Sequence, residues 1–413
     1  MPILENERPP KPLTNVVHFV KDFTVHQATI GFVGFLFAVT GPTAIMLSVG
    51  LRAGIPEVEI ASWLFGAFFL NGLISFFMCW IYRQPLIFLW SISGMVLVGP
   101  ALEHLNFGEI LGAYYVAGLM MVILGLSGWV RRIMDSIPLP IVMGMVAGVF
   151  LQFGLDWVNA FLIGPHIAIP MTAAFFAVAA IPVLANRVPP LIMAIAAGLL
   201  AMTIFDESPD IEKVSLLTAI PIVYAPTFSW SAMFELVVPL MITVLAAQNS
   251  QGISVLRTAE HKPPIDLITT TCGFGSIITA ITGTVSTCLT GPTSAILVSG
   301  GTERSGHYTA AIFACIGIMA FGVFSPLFIS LMLATPKAFI ATLAGIAILS
   351  VLKNSFTTAF GGKFPQGALI AFITTVSNFT LLNIGAPFWG LLFGFLVSWI
   401  IERDKFFISK AER

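Results

Sequence analysis

The chain has 413 residues, of which 57% are hydrophobic and only 9% charged, with a mean hydropathy of +0.96 and a formal net charge of -1. Soluble domains carry roughly 25% charged residues, so this composition excludes one and reads as an all-α polytopic membrane protein. A near-neutral chain has no global field to attract nucleic acid, and no such partner is expected; the lipid bilayer is the first partner.

Crossing a hydrocarbon core of about 30 Å takes about 20 apolar residues whose backbone polar groups are satisfied internally, so the spans are expected to be helices. Residues 1–27 are polar, contain Pro9, Pro10 and Pro12, and show no signal-peptide pattern; they read as a cytosolic tail. Apolar segments follow at roughly 28–50, 60–82, 86–102, 109–130, 137–157, 168–185 and 188–205. The first contains Thr40-Gly41-Pro42-Thr43, where Pro is expected to kink a helix. The third contains LWSISGMVLVGP over residues 89–100, too short and too interrupted for an ordinary span.

An acidic loop, DESPDIEK, occupies residues 206–213. Seven more segments follow at roughly 233–256, 264–284, 286–301, 308–326, 330–352, 365–383 and 386–402, with a polar tail over 403–413. The tenth lies within TVSTCLTGPTSAILVSGG, residues 284–301, and is broken in the same manner as the third.

About fourteen segments therefore fall into two halves of seven. Cytoplasmic loops carry an excess of Lys and Arg. With the amino terminus inside, only Arg52, Lys213 and Lys337 fall outside, which supports an even span count and both termini cytoplasmic; the expected location is the inner (cytoplasmic) membrane. An odd number of spans per half inverts one half relative to the other, the plan of many secondary transporters. A faint echo accompanies it: LSVGLRAG at 47–54 answers ISVLRTAE at 253–260, and Ser93-Gly94 answers Thr290-Gly291.

Paired broken segments are a pointer to a transporter's substrate site. A helix that starts in mid-membrane leaves first-turn N–H groups without partners and carries partial positive charge there, which attracts an anion. Half-helices in segments 3 and 10 are thus expected to meet near the midplane. Ser91, Ser93 and Gly94 would line one end, and Thr287, Thr290, Gly291 and Thr293 the other. Small residues of this kind also serve close helix packing, but packing alone does not explain why both segments are short.

The eighth segment carries Ala246-Ala247-Gln248-Asn249-Ser250-Gln251-Gly252, the longest polar run inside any apolar segment. Amide side chains are costly in hydrocarbon unless they meet a cavity, a ligand or another helix, and Gln248 and Asn249 offer both donors and acceptors. Glu103, His104, Asp156, Glu235 and Asp266 sit at segment ends and read as solvated or capping residues. The four cysteines, Cys79, Cys272, Cys288 and Cys315, read as apolar packers, and neither a metal nor a cofactor is expected. Walker A, H-E-x-x-H and G-x-S-x-G patterns are missing, which argues against an enzyme. The G-x-x-x-G strings at residues 144–148 and 390–394 allow close helix contacts, and a homodimer is carried as an open alternative.

In AAQNSQGI at 246–253, WSISG at 90–94 and GAPFWGLLFG at 385–394, the chain resembles the BenE family of benzoate/proton symporters over most of its length. That family looks like a branch of the group containing uracil permeases and sulfate transporters. The resemblance implies a core domain from residues 28–132 and 233–327, a gate domain from 133–232 and 328–402, and substrate between them. It also implies a small aromatic carboxylate as substrate, with Trp90 flanking the ring, and a proton as coupling ion. Uracil-type relatives carry carboxylates in the eighth and tenth spans, where this chain has Gln248, Asn249 and Thr290; a proton can instead travel on the substrate. Expected alternatives are a transporter of a neutral nucleobase or an inorganic anion, and an anion channel.

Overall fold

A helix satisfies the amides of an apolar segment from within, and helices make up most of the described residues. The computed structural model describes residues 7, 9, 16–130, 132, 134, 138–182, 188–205, 217–298, 304–333, 335–382 and 384–403. The acidic loop at 206–213 lies outside the described residues, as do most of the tail before residue 16 and residues 404–413.

A short helix α1, Val16–Asp22, leads into α2, Val25–Arg52, whose start is capped by Thr24 Oγ1 accepting from Gln27 N at 3.3 Å. Helix α2 continues as a helix through Pro42, where a kink is expected from sequence. Helix α3, Glu57–Tyr82, contains a π-helical stretch at Phe65–Leu70. Strand β1, Phe88–Trp90, and the short helix α4, Ile92–Ala101, make up the third segment. Helix α5, Phe107–Ser127, starts with a capping box formed by Asn106 and Glu109. Helices α6 (Leu139–Ile163), α7 (Pro165–Ala179) and α8 (Pro190–Ile204) each carry Pro in their first two positions, where the missing N–H costs nothing.

The second half repeats this order. Helix α9, Trp230–Thr258, includes π-helical stretches at Met233–Val237 and Thr243–Asn249 and is followed by α10, Ile265–Ala280. Strand β2, Thr287–Leu289, and α11, Gly291–Val298, form the tenth segment, followed by α12, His307–Val323. After α13, Ser325–Leu333, come α14 (Lys337–Phe360), α15 (Pro365–Val376), the strands β3 (Thr380–Leu381) and β4 (Ile384–Gly385), and α16 (Ala386–Ile401). Among the described residues, seven helices are long and apolar enough to cross a membrane by length and composition.

Two boundaries differ from the sequence reading. A single twelfth segment at 330–352 is expected, but α13 and α14 separate before Lys337, because Pro336 disfavours helical backbone at the residue before it and supplies no N–H. The sixth is expected at 168–185, yet α7 starts directly after Gly164, with Pro165 at its first position.

Packing interleaves the halves. Helix α5 lies along α10, and α12 packs on α2 and α3. Helix α6 is packed by α14, α15 and α16, and α7 packs on α8. Glycines permit the closest approach: a Cβ on Gly273 of α10 would lie 2.6 Å from both Gly118 O and Val122 N of α5. At one edge Glu7 of the polar tail reaches the start of α10, where its carboxylate accepts from Asp266 N at 3.3 Å and Leu267 N at 2.9 Å.

Candidate functional site

The two interrupted segments meet as a pair of antiparallel strands, with Phe88 opposite Leu289, Leu89 opposite Cys288 and Trp90 opposite Thr287. Ser91 N donates to Ser286 O and Thr290 N to Ile87 O, each at 2.9 Å, which extends the ladder at both ends. Their sequences suit this. FLW carries two aromatic residues and TCL a β-branched threonine, and each is followed by a helix-starting residue. Ser91 caps α4 by accepting from Gly94 N at 3.1 Å, while Gly291-Pro292 opens α11.

Neighbouring helices hold the strands by matching devices. Ser75 Oγ on α3 accepts from Phe88 N at 2.7 Å, and Ser276 Oγ on α10 accepts from Thr287 N at 2.9 Å. These helices are second in their respective halves, so each half braces its own strand with a serine. Asn71 Oδ1 of α3 then accepts from Thr287 Oγ1 at 2.8 Å, tying one half's brace to the other half's strand.

The π-helical stretch of α9 touches the start of α4 and strand β2, and the turn after it reaches the start of α11. Gln248 Nε2 donates to Ser93 Oγ at 3.3 Å, and Asn249 Oδ1 accepts from Leu289 N at 2.8 Å. Gln251 packs against Gly291, where an added Cβ would lie 2.5 Å from Gln251 Cγ. A π-turn widens the helix by one residue, which allows successive polar side chains to reach different neighbours.

The residues expected to form the site separate into two groups. Trp90, Asn249 and Thr287 are buried, Trp90 within the strand pair and the other two engaged in hydrogen bonds that hold it. Ser91, Ser93 and Gly94 form the first turn of α4, with Ser91 Oγ and Ser93 Oγ 3.2 Å apart. Thr290, Gly291 and Thr293 form the start of α11, and Thr290 Oγ1 is buried with no hydrogen-bond partner. Gln248 is half-buried. Ser93, Gln248 and Thr290, together with the first-turn amides of α4 and α11, therefore carry the hydrogen-bonding capacity left for a ligand.

No Lys, Arg, Asp or Glu lies in β1, α4, β2 or α11. An anion placed here would meet only amides, hydroxyls and helix dipoles. Among the described residues no group of three or more His, Cys, Asp or Glu is arranged to hold a metal.

Sequence reasoning missed Asn71, Ser75 and Ser276, since a lone polar residue in an apolar helix carries no sign of which backbone it braces. Among the acidic residues at segment ends Glu103 is exposed, but the others need correction. Glu235, expected to be solvated or capping, is 3% exposed, and its Oε2 lies 2.9 Å from His104 Nε2. Its other oxygen lies against Gly385 of β4, where an added Cβ would stand 2.5 Å away. Asp266 is buried also, and Asp156 is paired with Arg52.

A sequence model of the benzoate membrane transport protein family, BenE, matches residues 21–400. The inner membrane protein YdcO of Escherichia coli is 27% identical over 396 residues, covering 93% of this chain and 99% of that protein. The benzoate membrane transport protein of Acinetobacter baylyi is 24% identical over 391 residues, covering 93% of this chain and 97% of its own length. Among solved structures, the transmembrane domain of the cyanobacterial bicarbonate transporter BicA superposes with a TM-score of 0.61 at 14% identity, over 89% of this chain and 96% of that one, a likeness of fold.

Proposed function

The chain belongs to the benzoate membrane transport protein family, and from that premise we propose that it is a secondary transporter of a small aromatic carboxylate. As a multi-pass membrane transport protein it is not an enzyme.

The observation that carries the reading is the strand pair from which α4 and α11 start, with Gln248 bonded to Ser93 and Gln251 packed against Gly291. In this reading the carboxylate is held by the first-turn amides of both half-helices and by Ser93 and Thr290, while Ser91 caps α4. Gln248 orients it and Asn249 keeps β2 in place. Gly94, Gly291, Thr287 and Thr293 shape the walls, and Trp90 lies beside the aromatic ring from its place in β1. The absence of cationic side chains from these elements suits a substrate that must also be released.

Alternating access follows from division of the bundle into a core, residues 28–132 and 233–327, and a gate, residues 133–232 and 328–402. Support comes from the packing of α6 against α14, α15 and α16, and of α5 against α10. Proton symport is part of the proposal. With no acidic side chain in the strands or half-helices, the proton is taken up by the bound carboxylate itself, which then crosses as the neutral aromatic acid. The termini are cytoplasmic in this reading and the membrane is the inner one.

The test is uptake of radiolabelled benzoate into proteoliposomes with an inward proton gradient. Saturable accumulation that collapses with the gradient, and that resists competition by uracil and sulfate, is the expected result. Uptake of uracil or sulfate in place of benzoate, or ionic currents far above carrier turnover, overturns it.

A further inference from the structure

A cavity of about 250 Å³ lies away from the strand pair, between the carboxyl-terminal ends of α2 and α4 on one side and α6, α15 and α16 on the other. It runs beside Val96 and Gly99 of α4, about 5 and 9 Å along the helix from Ser93 in the first turn that faces the proposed substrate site. Its walls include Val49, Val149 and Phe153, and its charged lining includes Arg52 and Glu103. Arg52 is one of three cations that the Lys and Arg distribution assigns to the outside.

The Arg52 guanidinium lies over the Phe153 ring, 5.7 Å from its centroid, and is paired with Asp156. Asp156 Oδ1 also accepts from Gln152 Nε2 at 3.0 Å. Arg52 belongs to α2 and Asp156 to α6, so the ion pair spans the cleft. The Arg52 side chain remains 49% exposed despite the pairing. A guanidinium has five N–H donors in a planar fork and stacks on aromatic faces, so it can grip a carboxylate while an aromatic ring rests on apolar walls.

We propose that this cavity is a second binding site, a transit station for an aromatic carboxylate, in which the ligand replaces Asp156 on Arg52. It rests on the aromatic-carboxylate reading above. Asp156 already occupies the guanidinium and Glu103 adds a carboxylate to the cavity lining, so affinity is held low and the ligand passes on. Ligand binding also removes the ion pair that ties α2 to α6. Loading the station therefore loosens the cleft through which the substrate must travel.

The test is ¹⁹F NMR of 4-fluorobenzoate added to the purified full-length protein, with 4-fluorobenzamide as the uncharged control. Two bound environments are expected for the acid. Arg52→Gln removes one of them, weakening it about tenfold or more, and leaves the other in place. Persistence of the second signal shows that this variant is folded. Asp156→Asn acts in the opposite sense, filling the Arg52 environment at about tenfold lower ligand concentration because the competing carboxylate is gone. A single bound environment, or two that are indifferent to both substitutions, overturns the transit station while leaving the substrate reading intact. Absence of any bound signal from wild type overturns both.

Discussion

Asn249 on α9 and Leu289 in β2 are joined by a hydrogen bond, in which Asn249 Oδ1 accepts the Leu289 N–H at 2.8 Å inside a fully buried environment. Asn249→Ala strands that amide, at a cost of about 1–3 kcal/mol. The expected outcome is a lower thermal unfolding temperature together with loss of uptake. Gln248→Ala, by contrast, is expected to leave unfolding unchanged and weaken benzoate binding. Equal unfolding temperatures for Asn249→Ala and wild type refute the bracing role.

Thr290 supplies the opposite case. Its Oγ1 is buried without a hydrogen-bond partner, so Thr290→Val removes an unsatisfied group at nearly constant volume. Stability is expected to hold or rise by about 1 kcal/mol, while affinity for the carboxylate falls about tenfold. Calorimetric titration of both proteins with benzoate measures this, and undiminished affinity removes Thr290 from the site.

The buried pair of Glu235 and His104 has a distinct energetic signature. Removing one partner from such a pair costs about 3–5 kcal/mol, whereas replacing both by apolar residues is close to neutral. His104→Leu is therefore expected to destabilise strongly, and the double variant His104→Leu/Glu235→Leu to recover most of the loss. Denaturant unfolding of both variants tests the pair; additive losses mean the two residues act independently.

His261, in the turn between α9 and α10, is buried, and its Nε2 lies 3.0 Å from His307 Nδ1. Burial, then the neighbouring His307 and Arg304, push its pKa down from 6.5 to about 4. The unfolded chain thus protonates this ring at a higher pH than the folded one. Stability contributed by neutral His261 is present above pH 6.5 and is lost as pH falls toward about 4. Thermal unfolding followed across that interval is expected to fall less steeply for His261→Gln than for wild type; identical slopes contradict the assignment.

Chain composition alone determined that the protein lives in a bilayer, because so few charges leave no soluble alternative. It also identified the two incomplete helices, since Ser, Gly and Pro interrupt residues 89–100 and 284–301 where a span needs continuity. Local chemistry suffices there: a capping serine or a Gly-Pro step starts a helix wherever it lies. Tertiary structure alone decided the rest. Trp90 meets Thr287 across nearly half the chain, and no local pattern encodes that register. Glu235 stands among Phe234 and Leu236 like any charge at a helix end, and only the arrival of His104 and Gly385 from distant segments buries it. Asn249 and Gln248 are adjacent amides of the same chemical type, yet one is committed to a strand and the other faces the half-helix start. Their division of labour is set by which neighbours the π-helical turn of α9 brings within hydrogen-bonding distance, a long-range property that residue identity does not contain.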